Sequence, residues 1–375
     1  MLLVSAARIE RSIADGLYQT QLVREESAEF FLTALPAAGE DLSQLLERVS
    51  RCVRAQEAWP VAMTVFAPAE SSRAALASLA KLLGPVAWPI TWLTPEDARP
   101  GQGMGVEVHA VRGMGVAPIR LHGRVVGSVW HDGRARHCEL GDLRDAVTAR
   151  TPAEQTQQVL SDIIAALGQA GMTFAHVYRT WFRNHDILGW YGDFNRVRTE
   201  RYARLKVFDG LLPASTGIGA DNPFGAALVA GLLAMDPVTP GVGAAMIESP
   251  LQDSPRKYGS AFSRAVEVNL GDHRRVTISG TASIAPAGAT VHIGDVPAQV
   301  DLTMEVVEAI LHARGMGWAD VTRALAYFRR PADVGAYKRW EAGHGVGPLP
   351  TIVGTHTVCR DDLLYEIEVD AMSVR

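Results

Sequence analysis

Residues 358–371 read VCRDDLLYEIEVDA. Cys359 offers a thiol, and Glu366, Glu368 and Asp370 put a carboxylate at every second position. A strand points alternate side chains to opposite faces. Leu364, Glu366, Glu368 and Asp370 therefore share one face, and Leu363, Tyr365, Ile367 and Val369 share the other. The apolar face is expected to pack on helices. The acidic face is either solvated, the ordinary state of a half-buried sheet, or lines a closed chamber. In a chamber a carboxyl loses hydration and its pKa rises. A glutamic acid that keeps its proton near neutrality is what a general acid needs. The turn RDDL lets the chain fold back as a hairpin and brings Cys359 toward Glu366. Only Glu366 has to work there; Glu368 and Asp370 are expected to be solvated.

The elements that would hold these groups follow from the pattern of the last third of the chain. SRAVEVNL (263–270) and RRVTISGTASI (274–284) read as strands joined at GDHR. A helix is expected over 300–314, a strand over 321–328 and a short helix through PADVGAYKRWEA. TIVGTHTVC and LLYEIEVDAM are the last two strands. Neighbouring hairpins with two helices between them make the class α+β, a sheet with helices on one face.

The plan occurs twice. PAEQTQQVLSDIIAALGQAGMTFAHVYRTWF (152–182) matches VPAQVDLTMEVVEAILHARGMGWADVTRALAYF (296–328) in layout. Gln155 to Val177 and Gln299 to Val321 both span 22 residues, Gly171-Met172 answers Gly315-Met316, and Arg179 answers Arg323. LPASTGIG and LPTIVGTHTV follow in the same order. Two copies indicate a duplicated domain and not a solenoid. The boundaries are 1–246 for an N-terminal extension plus a divergent first half, and 247–375 for a C-terminal half carrying the active-site residues. The apolar run FGAALVAGLLAM (224–235) is expected to be a buried core helix, too short to span a bilayer.

Bulk properties narrow the function. The 375 residues are enough for two core-forming units, and 47% apolar with 21% charged residues is ordinary for a soluble protein. A net charge of −5 gives nucleic acid or an anionic membrane no general attraction, so an anionic substrate must be held by local arginines. The three cysteines, Cys52, Cys138 and Cys359, are far apart and suit neither a disulfide framework nor a zinc cluster. MLLVSAARIERS becomes charged within ten residues, so no signal peptide is evident and the expected location is cytoplasmic. The eleven histidines show no HExxH, so no metal site is expected. GQGMGVEVHAVRGMG (101–115) leads into alternating strand residues instead of a helix and fails as a dinucleotide loop. HDILGWYGDFNRVRTERY (185–202) mixes basic and aromatic residues, but aspartates interrupt it and no nucleic-acid face is assigned.

VTISGTASI, GDVPAQ, ILHARGMGWADV and LLYEIEVDA make residues 258–372 resemble the YjgF/RidA superfamily, and 140–245 resemble it more weakly. Deaminases of that superfamily grip a substrate carboxylate with an arginine on the penultimate strand. That place falls near Thr351, where no arginine stands. The chain as a whole resembles the chorismatases, through VYRTWF (177–182), YGDFNRVR (191–198), PASTGIG (213–219), PRKYGSAFSRA (255–265), SGTASI (279–284) and CRDDLLYEIE (359–368). The resemblance implies two RidA-like, chorismate-mutase-like halves. It also implies cleavage of the enol ether of chorismate with release of pyruvate, and no metal or organic cofactor.

Carried over by position, Glu366 is the general acid and Cys359 directs the product. Arg179, Arg198 and Arg264 clamp carboxylates. Tyr191 and Tyr258 line the pocket or pack as core aromatics. Thr216 and Ser263 donate hydroxyls or only pack. Gly280 and Ala282 lie beside the substrate. A cysteine at 359 goes with 3-hydroxybenzoate formation, whereas Ala282 looks like the hydrolytic type, so some 4-hydroxybenzoate is also expected. The alternatives are hydrolysis to a dihydroxycyclohexadiene carboxylate, a RidA-like deaminase and a small-molecule binder. Monomer and homo-oligomer stay open.

Overall fold

A computed structural model describes residues 7–96, 98 and 104–374. The first six residues, and Gly101 and Gly103, lie outside the described residues. The first unit comprises β1 (Arg8–Ala14), β2 (Leu17–Val23), β3 (Ala28–Ala34), α1 (Leu42–Ala55), β4 (Trp59–Phe66), α2 (Ser72–Leu83), β5 (Ile90–Leu93) and β6 (Gly105–Arg112). The second comprises β7 (Val116–Leu121), β8 (Arg124–His131), β9 (Ala135–Leu143), α3 (Pro152–Gln169), β10 (Val177–Asn184), α4 (Ile187–Arg204), β11 (Ala214–Gly219) and β12 (Leu228–Pro237). The third comprises β13 (Gly243–Ile247), β14 (Ala265–Asn269), β15 (His273–Ala282), α5 (Val296–His312), β16 (Val321–Phe328), α6 (Gly335–His344), β17 (Thr351–Thr355) and β18 (Tyr365–Val374).

The three six-stranded sheets share one order: β1-β2-β3-β6-β4-β5, β7-β8-β9-β12-β10-β11 and β13-β14-β15-β18-β16-β17. In each, a three-strand meander leads through a helix to the fourth strand. A second helix leads to the fifth, which lies parallel to the fourth. The last strand then inserts between the third and fourth, antiparallel to both. The α+β class and the two sequence repeats hold; the repeats are the second and third units. The extension before them is a third copy of the same plan.

Local signals explain the elements. Thr151 and Glu154 form a capping box with Pro152 in the first turn of α3, and Asp41 with Gln44 does the same for α1. Each helix pair covers one face of its own sheet with Leu, Ile, Val and Met. The opposite faces turn toward one another around a central axis, so the three sheets close a ring.

Three expectations are corrected. Residues 224–235 are not a helix: Leu228–Pro237 is strand β12. It is buried on both faces, between its helices and the axis, so its apolar run is unbroken and carries no period of two. The last two strands are not a hairpin, because β17 pairs with β16 and β18 lies on the other side of β16. The alternation of β18 begins at Tyr365, so Leu364 joins the helix-side core and Leu363 the opposite face.

Candidate active site

Glu366 is the second residue of β18, opposite Ala282 on β15 and Tyr327 on β16. Its carboxyl lies over Gly280: a Cβ there would collide with Glu366 Oε1 and stand 3.1 Å from Thr216 Cγ2. Thr216 belongs to β11 of the second unit, so the site is a crevice between units. Its Oγ1 accepts from the Gly280 amide at 3.0 Å and from Arg179 Nη2 at 2.8 Å.

Glu366 is 5% exposed. Burial, reinforced by the charge of Glu368, raises its pKa to about 8 against the pull of Arg179, Arg264 and Arg360. Cys359, in the loop before β18, feels its charge: burial and then the Glu366 charge push the thiol up to about 12. Such a thiol is a proton-bearing group at neutral pH and not a ready nucleophile. Helix α4 contributes Tyr191, whose hydroxyl is pushed up by burial and by Cys359 and Glu366. Two turns on, Arg198 is 2% exposed, reaches Asn195 Oδ1 at 2.8 Å and packs over Phe182 and Phe194. Arg264 bonds the Tyr258 hydroxyl and, through Nε, the Asp253 carbonyl at 3.1 Å. Nε of Arg198 and both Nε and Nη1 of Arg179 are buried without a partner among the described residues. Donors of that kind suit an anionic guest.

The structure thus gathers Glu366, Cys359, Gly280, Ala282, Thr216, Arg179, Tyr191, Arg198, Tyr258 and Arg264 around one crevice. Ser263 is used differently. Its hydroxyl donates to the Ala265 carbonyl at 3.3 Å and its backbone bridges β11 at Ala214, so it joins the two units. Glu368 is not solvated; it is wholly buried among arginines, while Asp370 is half-buried and bound to Arg323 at 2.9 Å. Sequence reasoning passed over Arg360, which acts on Glu366, Cys359 and Tyr258 and donates to the Gly288 carbonyl at 2.7 Å. Its place beside Cys359 in the CRDD run was the available signal. Glu366 is flanked by β15 and β16 and faces Thr216 of β11 across the junction, and Thr351 of β17 is bonded to the Tyr337 hydroxyl at 2.7 Å.

Among the described residues, neither of the other two crevices has a glutamate at the place of Glu366. After the bulge in each fourth strand come Ala62, Arg179 and Arg323. Counting from there, Glu366 corresponds to Gly105 in the first unit and Val229 in the second. Ile352 fills the space over Gly105. At the remaining junction Asp142, ion-paired with Arg124 and Arg144, offers its amide to Thr91 Oγ1 at 3.1 Å. A cavity of about 110 Å³ lies on the axis, lined in part by Glu107, His109, Tyr178 and Arg275. Glu366 and Cys359 do not border it.

No family model matches the chain. It is 30% identical over 242 residues to a chorismatase of Streptomyces rapamycinicus, covering 58% of this chain and 69% of that protein. It is also 30% identical over 223 residues to a 3-hydroxybenzoate synthase of Streptomyces hygroscopicus, covering 52% of this chain and 63% of that protein. A crystal structure of chorismatase shares the fold, with a TM-score of 0.61 at 20% identity, over 83% of this chain and 92% of that one. With more than two-thirds of a named relative matched in sequence and the same fold along most of both chains, the protein belongs to the chorismatase family.

Proposed function

We propose that the protein is an enzyme that cleaves the enolpyruvyl ether of chorismate to 3-hydroxybenzoate and pyruvate. The observation that carries this reading is Glu366, a buried carboxyl held protonated near neutrality in a crevice rich in arginine. An enol ether is cleaved by protonating its methylene carbon. Glu366 gives its proton there, and an oxocarbenium ion forms. The substrate's C4 hydroxyl gives up its proton, which restores Glu366 to its acid form, and its oxygen bonds to C3 as the C3–O bond to pyruvate breaks. The C4–O bond then opens, C3 loses its proton and the oxygen takes one up, which leaves the aromatic ring with its hydroxyl at C3. No water is consumed; the atoms of chorismate equal those of the two products. Arg179, Arg198, Arg264 and Arg360 are the groups available for its two carboxylates. Cys359, within electrostatic reach of Glu366, presents a thiol in the place of a water and so favours the internal route.

Ala282, directly across from Glu366, favours a second reading, hydrolysis to a dihydroxycyclohexadiene carboxylate. One experiment separates them: purified protein is incubated with chorismate and the products are resolved by chromatography, beside Glu366→Gln and Cys359→Ala. Pyruvate with 3-hydroxybenzoate, lost in the first variant and diverted to the diene diol in the second, supports the proposal. The diene diol from the unaltered protein favours hydrolysis, and no pyruvate at all rejects both.

A further inference from the structure

Two residues beyond Glu366, on the same face of β18, stands a second buried carboxylate to which the proposed chemistry gives no task. Glu368 is wholly buried and both its oxygens are engaged. Arg323 Nη2 meets Oε1 at 2.5 Å and Trp181 Nε1 donates to it at 2.9 Å; Arg179 Nη2 meets Oε2 at 2.9 Å. These holders come from β10 and β16. Arg323 is bound in turn by Glu107 of β6 at 3.0 Å, so all three units take part. The same Arg179 nitrogen reaches Thr216, which fixes the Gly280 amide beneath the Glu366 carboxyl. A continuous set of hydrogen bonds therefore runs from the axis to Gly280, on which the Glu366 carboxyl lies. The repeats show how specific this is. The place of Arg179 and Arg323 is Ala62 in the first unit, and the place of Glu368 is Gly231 in the second. In the first unit the place of Glu368 is Glu107, which meets Arg323; among the described residues of these three places, a carboxylate held between Arg179 and Arg323 stands only beside the crevice that carries Glu366.

We infer that Glu368 is a positioning residue for the reaction proposed above: an anion locked by Arg179 and Arg323 that keeps the proton on Glu366. The inference rests on that functional reading. Two carboxyls this close in a dry site do not both ionise readily, and the one with the arginines takes the charge. Burial alone would raise Glu368, but Arg323, Arg179 and Arg183 hold it down to about 2. The other charged and titratable groups around Glu366 are Arg179 from β10, Arg264 ahead of β14, and Cys359 and Arg360 from the loop before β18. Tyr191 of α4 faces it as well, with Arg198 behind Tyr191 and Cys359.

The test titrates Glu366 directly in the full chain. Protein carrying glutamate labelled with carbon-13 at Cδ is followed by NMR from about pH 5 to 10. The Glu366 signal is assigned by its loss in Glu366→Gln. kcat and KM for pyruvate release are measured over the same range. Glu368→Gln is expected to lower the Glu366 midpoint by about 1–2 pH units. The alkaline limb of kcat/KM should move down with it, and kcat should fall about 10-fold with KM changed less than about 2-fold. Glu368→Asp, which restores the charge, should return the midpoint to within about half a unit of the original. An unmoved midpoint in folded Glu368→Gln overturns the inference. Should that variant fail to fold, Glu107→Gln removes from the same arginine cluster a carboxyl that burial raises to about 7 and that is charged at the Glu366 midpoint; it should lower that midpoint by a smaller step, and no lowering there overturns the inference equally. If the unaltered protein releases no pyruvate, the functional reading fails while the titration still decides the role of Glu368.

Discussion

Burial makes Glu366 both useful and costly. Its pKa in the unfolded chain is near the ordinary 4.5 and in the folded chain about 8. A carboxyl whose folded pKa is raised contributes stability that is fully present below pH 4.5 and lost as pH rises through 8. Glu366→Gln keeps the shape and cannot ionise. It is expected to cut pyruvate release by about 10²–10⁴-fold. It should also make the protein more stable by on the order of 2–4 kcal/mol at pH 9, with little change at pH 4.5. Thermal melts at the two pH values check this; equal shifts at both would contradict it. Gly280→Ala tests the space above the strand. The added methyl meets the Glu366 carboxyl, so activity should fall by more than about 10-fold while stability changes by about 1–3 kcal/mol. Full activity in this variant would mean that Glu366 does not need its observed position. These two residues were legible to different degrees. The alternation of Glu366, Glu368 and Asp370 was plain, but which of them is acid, anion or half-solvated depends on arginines 45 and 189 residues away in the chain.

The elements explain what pattern reading could and could not reach. The second and third units announced themselves through Gly171 and Gly315, which take the left-handed conformation just beyond a helix. In the first unit that conformation falls to Glu57, φ 51°, and no glycine marks the repeat. A buried central strand such as β12 shows no alternation, and the insertion of β18 beside β15 is a long-range pairing that local turn chemistry does not report. The same comparison predicts which crevices matter. Ile352 of β17 occupies at the first-unit crevice the space above Gly105, where Glu366 would stand in the third unit. Ile352→Ala should therefore cost about 2–4 kcal/mol of stability as a core truncation and leave kcat for pyruvate release within about 2-fold below the melting range. Urea unfolding and a pyruvate assay decide it; a large loss of kcat with intact fold would show that this crevice takes part in the reaction.

The whole molecule is a ring of three units in one chain, and its junction on the axis is built from charges. Glu29 of β3 is buried against Arg275 of β15 and lies 2.7 Å from His109 of β6, which reaches Glu139 of β9 at 2.5 Å. At one end Asp272 binds Arg24 of the first unit at 2.8 Å and Arg134 of the second at 3.0 Å. Each unit is thus held by partners in the other two, and the crevice at Glu366 exists only while β11 stays against β15. Burial alone would lower the His109 pKa, but Glu139 and Glu29 outweigh it and raise it to about 9. With an unfolded value near 6.5, its contribution is complete below pH 6.5 and lost as pH rises through 9. Glu366 adds a loss of the same sign between about pH 4.5 and 8, so the melting temperature should fall from about pH 4.5 to 9, most steeply where the two windows overlap between 6.5 and 8. Glu29→Gln strips Arg275 of its buried partner. It is expected to cost about 3–5 kcal/mol near pH 7 because the guanidinium is left uncompensated in the interior. It should also flatten the fall between pH 6.5 and 9, since His109 loses one of the two anions that hold its proton. Calorimetric scans of both proteins across that range are the measurement. A Glu29→Gln melting curve parallel to the original at every pH would show that the axial charges do not govern how the three units hold together.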